Sequence, residues 1–251
     1  MLVRRAIIGG VTAPTQQKPR RKVPWAIEFY RSAVGKKWVM ALTGVVLITY
    51  VVAHLIGNLK AYLGPEEIDK YGEALRDLGG DLVPHTSLLW LMRGGLLLAF
   101  LLHVHAAYSL TYTNWKARGG RYAARDYAAA DFASRSMRWT GTIVLLFIAF
   151  HLADLTWGVE PAATGEFVRG SVYGNLVASL ERVPVAITYA VANLALGVHL
   201  YHGTWSLFQS VGLSHPRFNR WRRYAAWALT AFVVVGNLSF PIAVQVGILE
   251  V

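Results

Sequence analysis

RWTGTIVLLFIAFHLADLTW, residues 138–157, is an almost unbroken apolar run that carries one imidazole, His151, well inside it. An ionisable side chain at that depth is costly in lipid, so a helix that retains one has a use for it. Residues 139–158 also have the length needed to cross about 30 Å of hydrocarbon at about 1.5 Å per residue. Four further stretches do the same: 38–60, 87–111, 184–209 and 224–249. The sequence therefore predicts an all-α integral membrane protein, a bundle of five transmembrane helices.

Composition agrees. The chain is 55% hydrophobic and 16% charged over 251 residues, with a mean hydropathy of +0.37, outside the range of soluble domains. The net charge of +11 is distributed as a topology signal and not as a nucleic-acid surface. Lys and Arg number nine before Trp38, six from Tyr112 to Arg138 and four from Gly212 to Tyr224. The opposite loops hold three against six acids (Lys60 to Thr86) and two against four (Asp154 to Val183). That asymmetry predicts a cytoplasmic N-terminus and an external C-terminus. Residues 1–37 then read as a basic cytoplasmic arm able to meet anionic lipid or a partner's acidic face, and 38–251 as the transmembrane domain. Trp25, Tyr30, Trp38, Trp115, Trp157 and Trp221 flank the spans as interfacial anchors. The acidic stretch 63–82 reads as helical between Pro65 and Gly79, a short cap on the outer surface.

Cysteine is absent, which excludes disulfides and any iron–sulfur centre held by cysteines of this chain. No loop is long enough for a soluble catalytic domain, so a partner must supply other chemistry.

Six of eight histidines fall within the spans: His54, His103, His105, His151, His199 and His202. Counting from each helix's entry side puts His54 and His151 about 24 and 18 Å from the cytoplasmic end, in the outer half. His105 and His199 fall in the inner half. Two imidazoles facing each other at one level suit axial ligation of a b-type haem, and two levels suit a transmembrane electron path. His103 and His105 point to opposite sides of their helix, so only one can serve, whereas His199 and His202 share a face and spacing does not choose between them. TGVVLITYVVAHL (43–55) and TGTIVLLFIAFHL (140–152) echo one another, each with histidine ten residues after glycine. Gly44 and Gly141 thus lie about 15 Å from His54 and His151, near the second level.

YVVAHLIGNLK, LLHVHAAYSL, RWTGTIVLLFIAFHLAD and GVHLYHGTWSLFQSVGL, in this order, resemble the haem-bearing helices of the single-chain, five-helix di-haem cytochrome b anchor of succinate dehydrogenases and fumarate reductases. The likeness runs from about residue 30 to the C-terminus. It implies a subunit with no succinate chemistry of its own, passing electrons through two b haems between membrane quinone, expected to be menaquinone, and a cytoplasmic iron–sulfur protein that docks with a flavoprotein. Local matching implies His54 with His151 as ligands of the outer haem and His105 with His199 as ligands of the inner one, in the inner (cytoplasmic) cell membrane.

Quinone chemistry needs a proton donor or acceptor beside the ring. Asp81, His85 and Asp154 are candidates near the outer face; Trp205, Ser206, Gln209 and His215 are candidates near the inner face. Arg93, just inside the second span, suits a haem propionate. Alternative readings are a di-haem anchor of another dehydrogenase, a quinone-binding anchor lacking one or both haems, and a haem-free proton or ion conductor using the same histidines.

Because the chain has no native thiol, topology is directly testable. In intact cells, an impermeant thiol reagent should label Gly170→Cys and leave Ala123→Cys unlabelled; the reverse pattern would invert the bundle.

Overall fold

A computed structural model describes residues 23–117, 132–213 and 215–251. The N-terminal arm expected over 1–37 therefore lies outside the described residues up to 22, as does most of the basic connection between the second and third spans. All regular structure among the described residues is helical. Five helices are long and apolar enough to cross a membrane.

The elements, in chain order, are α1 (Trp25–Arg31), α2 (Ala33–Asn58), α3 (Pro65–Ala74), α4 (Ser87–Ala117), α5 (Phe132–Leu152), α6 (Val172–Glu181), α7 (Val183–Ser210) and α8 (Asn219–Gln245). The long members, α2, α4, α5, α7 and α8, correspond to the five expected spans. Their limits differ at the ends: α2 begins before Trp38, so the expected domain boundary falls inside a helix, and α8 starts and stops about a turn early. Ser32 starts α2 by accepting a hydrogen bond from the Gly35 amide at 2.9 Å. The third span is completed by a π-helical turn, Ala153–Trp157.

Helices α2 and α4 pack along one another as one hairpin and α5 and α7 as a second, while α8 lies along α7. Between α2 and α5, and between α4 and α7, there is almost no backbone contact. Across both of those separations, side chains meet instead.

The largest buried apolar cluster lies at the bundle end opposite the N-terminal arm, where Leu55, Ile68, Val177, Leu180, Phe240 and Val244 come together. The acidic cap is α3, with Pro65 in its first turn as the sequence suggests. A second cap helix, α6, was not foreseen, because residues 172–181 are short and sit in what reads as a loop. Its exposed amides are satisfied across the chain: Asp69 Oδ1 of α3 accepts from Val172 N at 2.7 Å and Tyr173 N at 3.0 Å. At its other end, Gln245 Nε2 of α8 donates to the Leu180 carbonyl at 2.7 Å. The cap is thus tied to both hairpins and to α8.

Close approach of α8 to α2 depends on Gly236, where a β-carbon would stand 2.7 Å from Leu55, a residue with no exposed surface. Gly236→Val should therefore cost about 1–3 kcal/mol, read as a lowered Tm in detergent; an unchanged Tm would mean that α8 is free to move away.

Candidate functional site

Histidines from diagonal helices meet at two levels. His54 of α2 and His151 of α5 have ring centres 5.9 Å apart with planes 86° to one another. His103 of α4 and His199 of α7 are 6.5 Å apart at 64°. Two imidazoles bound to one metal from opposite sides hold their ring centres about 6 Å apart, given metal–nitrogen bonds of about 2.0 Å and about 1.1 Å from each nitrogen to its ring centre. Both pairs have that separation.

The second pair corrects the sequence reading. His103, not His105, faces His199. The reason lies in the rotation of α4: the side of this helix that packs on α2 carries His103, so His105, two residues on, turns away. His105 Nδ1 instead meets the Tyr30 hydroxyl of α1 at 2.5 Å, with the two rings stacked.

The Thr-Gly echo explains how the inner level is built. Thr43 Oγ1 donates to the Val39 carbonyl at 2.7 Å and lies 3.1 Å from His103 Nδ1. Thr140 Oγ1 bonds the Ser136 carbonyl at 3.1 Å and lies 3.4 Å from His199 Nδ1. Next to each threonine, a glycine leaves room for the neighbouring ring: a β-carbon on Gly44 would stand 3.6 Å from His103 Cε1, and one on Gly141 3.2 Å from His199 Cε1. The echo is longer than first read, since Met40 and Met137 hold equivalent places, each three residues before its threonine. Each hairpin thus supports one inner imidazole by the same device. In both cases Nδ1 is occupied and Nε2 is left for the facing partner.

At the outer level the supporting groups differ. His151 Nδ1 lies 3.2 Å from the Tyr189 hydroxyl of α7, and that hydroxyl donates to Asp154 Oδ2 at 2.9 Å. Asp154 is 1% exposed. It also accepts from Ser179 at 2.5 Å and pairs with Arg182 at 3.1 Å. His54 stacks on Tyr50.

The other candidates are dispersed. Asp154, expected near a quinone, lies in this buried network, where it accepts from Ser179, Arg182 and Tyr189. Asp81 and His85 are exposed in the connection between α3 and α4. Arg93 is exposed, with its guanidinium 5.0 Å from the Trp90 ring. Trp205 lies beneath the Arg222 and Arg223 guanidiniums at 4.7 and 5.6 Å. Ser206 bonds back to the Gly203 carbonyl, Gln209 is exposed, and His215 caps the short turn before α8. The sequence reading missed Thr43 and Thr140 as histidine partners, although the echo marks them. It also missed Tyr189, which nothing in its local sequence singles out.

No family model, no curated protein and no solved structure matches the chain.

Two nitrogen donors per site is the donor set of a six-coordinate haem iron, whereas a structural zinc site takes four ligands. Among the described residues there is no cluster of three or more potential metal ligands. The residues present fit a porphyrin iron.

The buried ion pair carries its own test. Asp154→Ala strands the Arg182 charge and the Ser179 and Tyr189 hydroxyls, and should cost about 3–5 kcal/mol, seen as a large fall in thermal stability in detergent; a fall under about 1 kcal/mol would mean that water already reaches the site.

Proposed function

We propose that this protein is the membrane-anchor cytochrome b of a succinate:quinone oxidoreductase, with His54 and His151 holding one b-type haem and His103 and His199 another. The observation that carries the reading is the pair of facing imidazole couples, at metal-binding separation, on two levels of one bundle. Bound there, each haem supplies a one-electron carrier, and the two levels lie about 15 Å apart along the helices, ten residues at 1.5 Å.

The chain's own residues hold and orient the ligands. Thr43, Thr140 and Tyr189 engage Nδ1 of His103, His199 and His151, which fixes each ring's rotation and directs Nε2 inward. The apolar helices exclude water from between them. The α3–α6 cap closes the bundle end nearest His54 and His151.

On this reading the N-terminus is cytoplasmic, in the inner cell membrane, and the basic end receives an iron–sulfur subunit that carries the cysteine ligands this chain lacks, with a flavoprotein beyond it. Quinone, as menaquinone, is the membrane substrate. Gln209 and the Trp205–Arg222–Arg223 stack lie at the basic end, and Asp81, His85 and Arg93 at the other; each set offers donors to a quinone or, for Arg93, to a propionate.

Purified protein should contain two b haems per chain by pyridine haemochrome. His151→Ala should remove one and His103→Ala the other, while His105→Ala should retain both. Loss of a haem in His105→Ala with none lost in His103→Ala would restore the pairing read from sequence. No haem in the unaltered protein would overturn the reading. Co-purifying subunits that oxidise hydrogen or formate would reassign the anchor to another dehydrogenase.

A further inference from the structure

We propose that Tyr189 and Asp154 form a positioning relay that fixes His151 as a hydrogen-bond donor and would lower the reduction potential of a haem held by His54 and His151, a device the His103–His199 pair lacks. The inference rests on the haem reading above and concerns only side chains of this chain.

Hydrogen-bond direction carries the argument. Asp154 is paired with Arg182 at 3.1 Å and also accepts from Ser179, so its carboxylate acts solely as an acceptor. The single proton of the Tyr189 hydroxyl therefore goes to Asp154 Oδ2, at 2.9 Å. What the phenol presents to His151 Nδ1, at 3.2 Å, is a lone pair. His151 must then carry its proton on Nδ1, and the metal-binding lone pair is on Nε2. Tyr189 is 7% exposed and Asp154 1%, so water does not compete for these bonds.

The inner level makes the contrast. His103 and His199 meet the Thr43 and Thr140 hydroxyls, which are neutral groups. Among the described residues, it is behind His151 that a carboxylate stands, one phenol away. A histidine whose N–H is directed toward a carboxylate is a more basic ligand and favours the more highly charged iron. The Arg182 guanidinium bonds the other oxygen of Asp154, so it does not reverse the direction of the relay.

The test is an anaerobic potentiometric titration of the haem absorbance in the intact complex, comparing the unaltered protein with Tyr189→Phe and Asp154→Asn. Tyr189→Phe keeps the ring and removes the hydroxyl. Asp154→Asn keeps the shape, removes the charge, and gives the answer if the phenylalanine variant fails to hold its outer haem. With roughly a tenfold loss of preference for the oxidised form, as for loss of a ligand's hydrogen-bond partner, one couple should move up by about 59 mV while the other stays. The couple that moves should be the one missing from His151→Ala. Unmoved couples, or equal movement of both, would overturn the relay while leaving the haem reading intact. Absence of both couples from the unaltered protein would overturn the haem reading, and the relay with it.

Discussion

A buried imidazole must have both nitrogens accommodated, and in this bundle that requirement determines how the helices meet. Nδ1 of His103 is received by Thr43 of the helix beside it, Nδ1 of His199 by Thr140, and Nδ1 of His151 by Tyr189. Each of these contacts joins two helices of the same hairpin and leaves the second nitrogen pointing across the bundle. In the second hairpin the adjacent glycine is part of the same solution, because a β-carbon at Gly141 would press on the His199 ring at 3.2 Å, whereas one at Gly44 would stand in ordinary contact with His103 at 3.6 Å. Hairpin packing and ligand direction are therefore set together, and the separation of α2 from α5 and of α4 from α7 follows from having imidazoles between them.

This accounts for what was legible in the sequence. Hydropathy specifies the five spans, since about twenty apolar residues have few alternatives to a transmembrane helix. The histidine levels were legible as well, because rise per residue is constant. What failed was rotation. His103 and His105 lie at nearly the same depth, and only the contact of α4 with Thr43 distinguishes them. The resemblance implied His105, but in the structure it is His103 that faces His199. The cap helix α6 escaped notice because its helical state depends on Asp69 and Gln245, both remote in sequence, and not on its own hydrophobic pattern.

The two hairpins are built alike at the inner level and differently at the outer one. Met40, Thr43 and Gly44 recur as Met137, Thr140 and Gly141, with His54 and His151 equally spaced beyond them. Past that point the halves diverge: His54 stacks on Tyr50, while His151 is backed by a phenol, a carboxylate and a guanidinium. Repetition supplies two facing pairs, and the departure from repetition gives the outer pair an electrostatic surrounding of its own.

The bond from Asp69 to the first amides of α6 spans 103 residues of chain. During synthesis the first hairpin, with α3, is in the membrane well before α6 has been made. The outer end of the bundle therefore stays unsealed until the second hairpin has inserted, and closure of that end is among the last steps of maturation. On the haem reading, a group to be held by His54 and His151 would enter most easily before that latch engages, which would couple the order of cofactor loading to the order in which the ribosome delivers the helices.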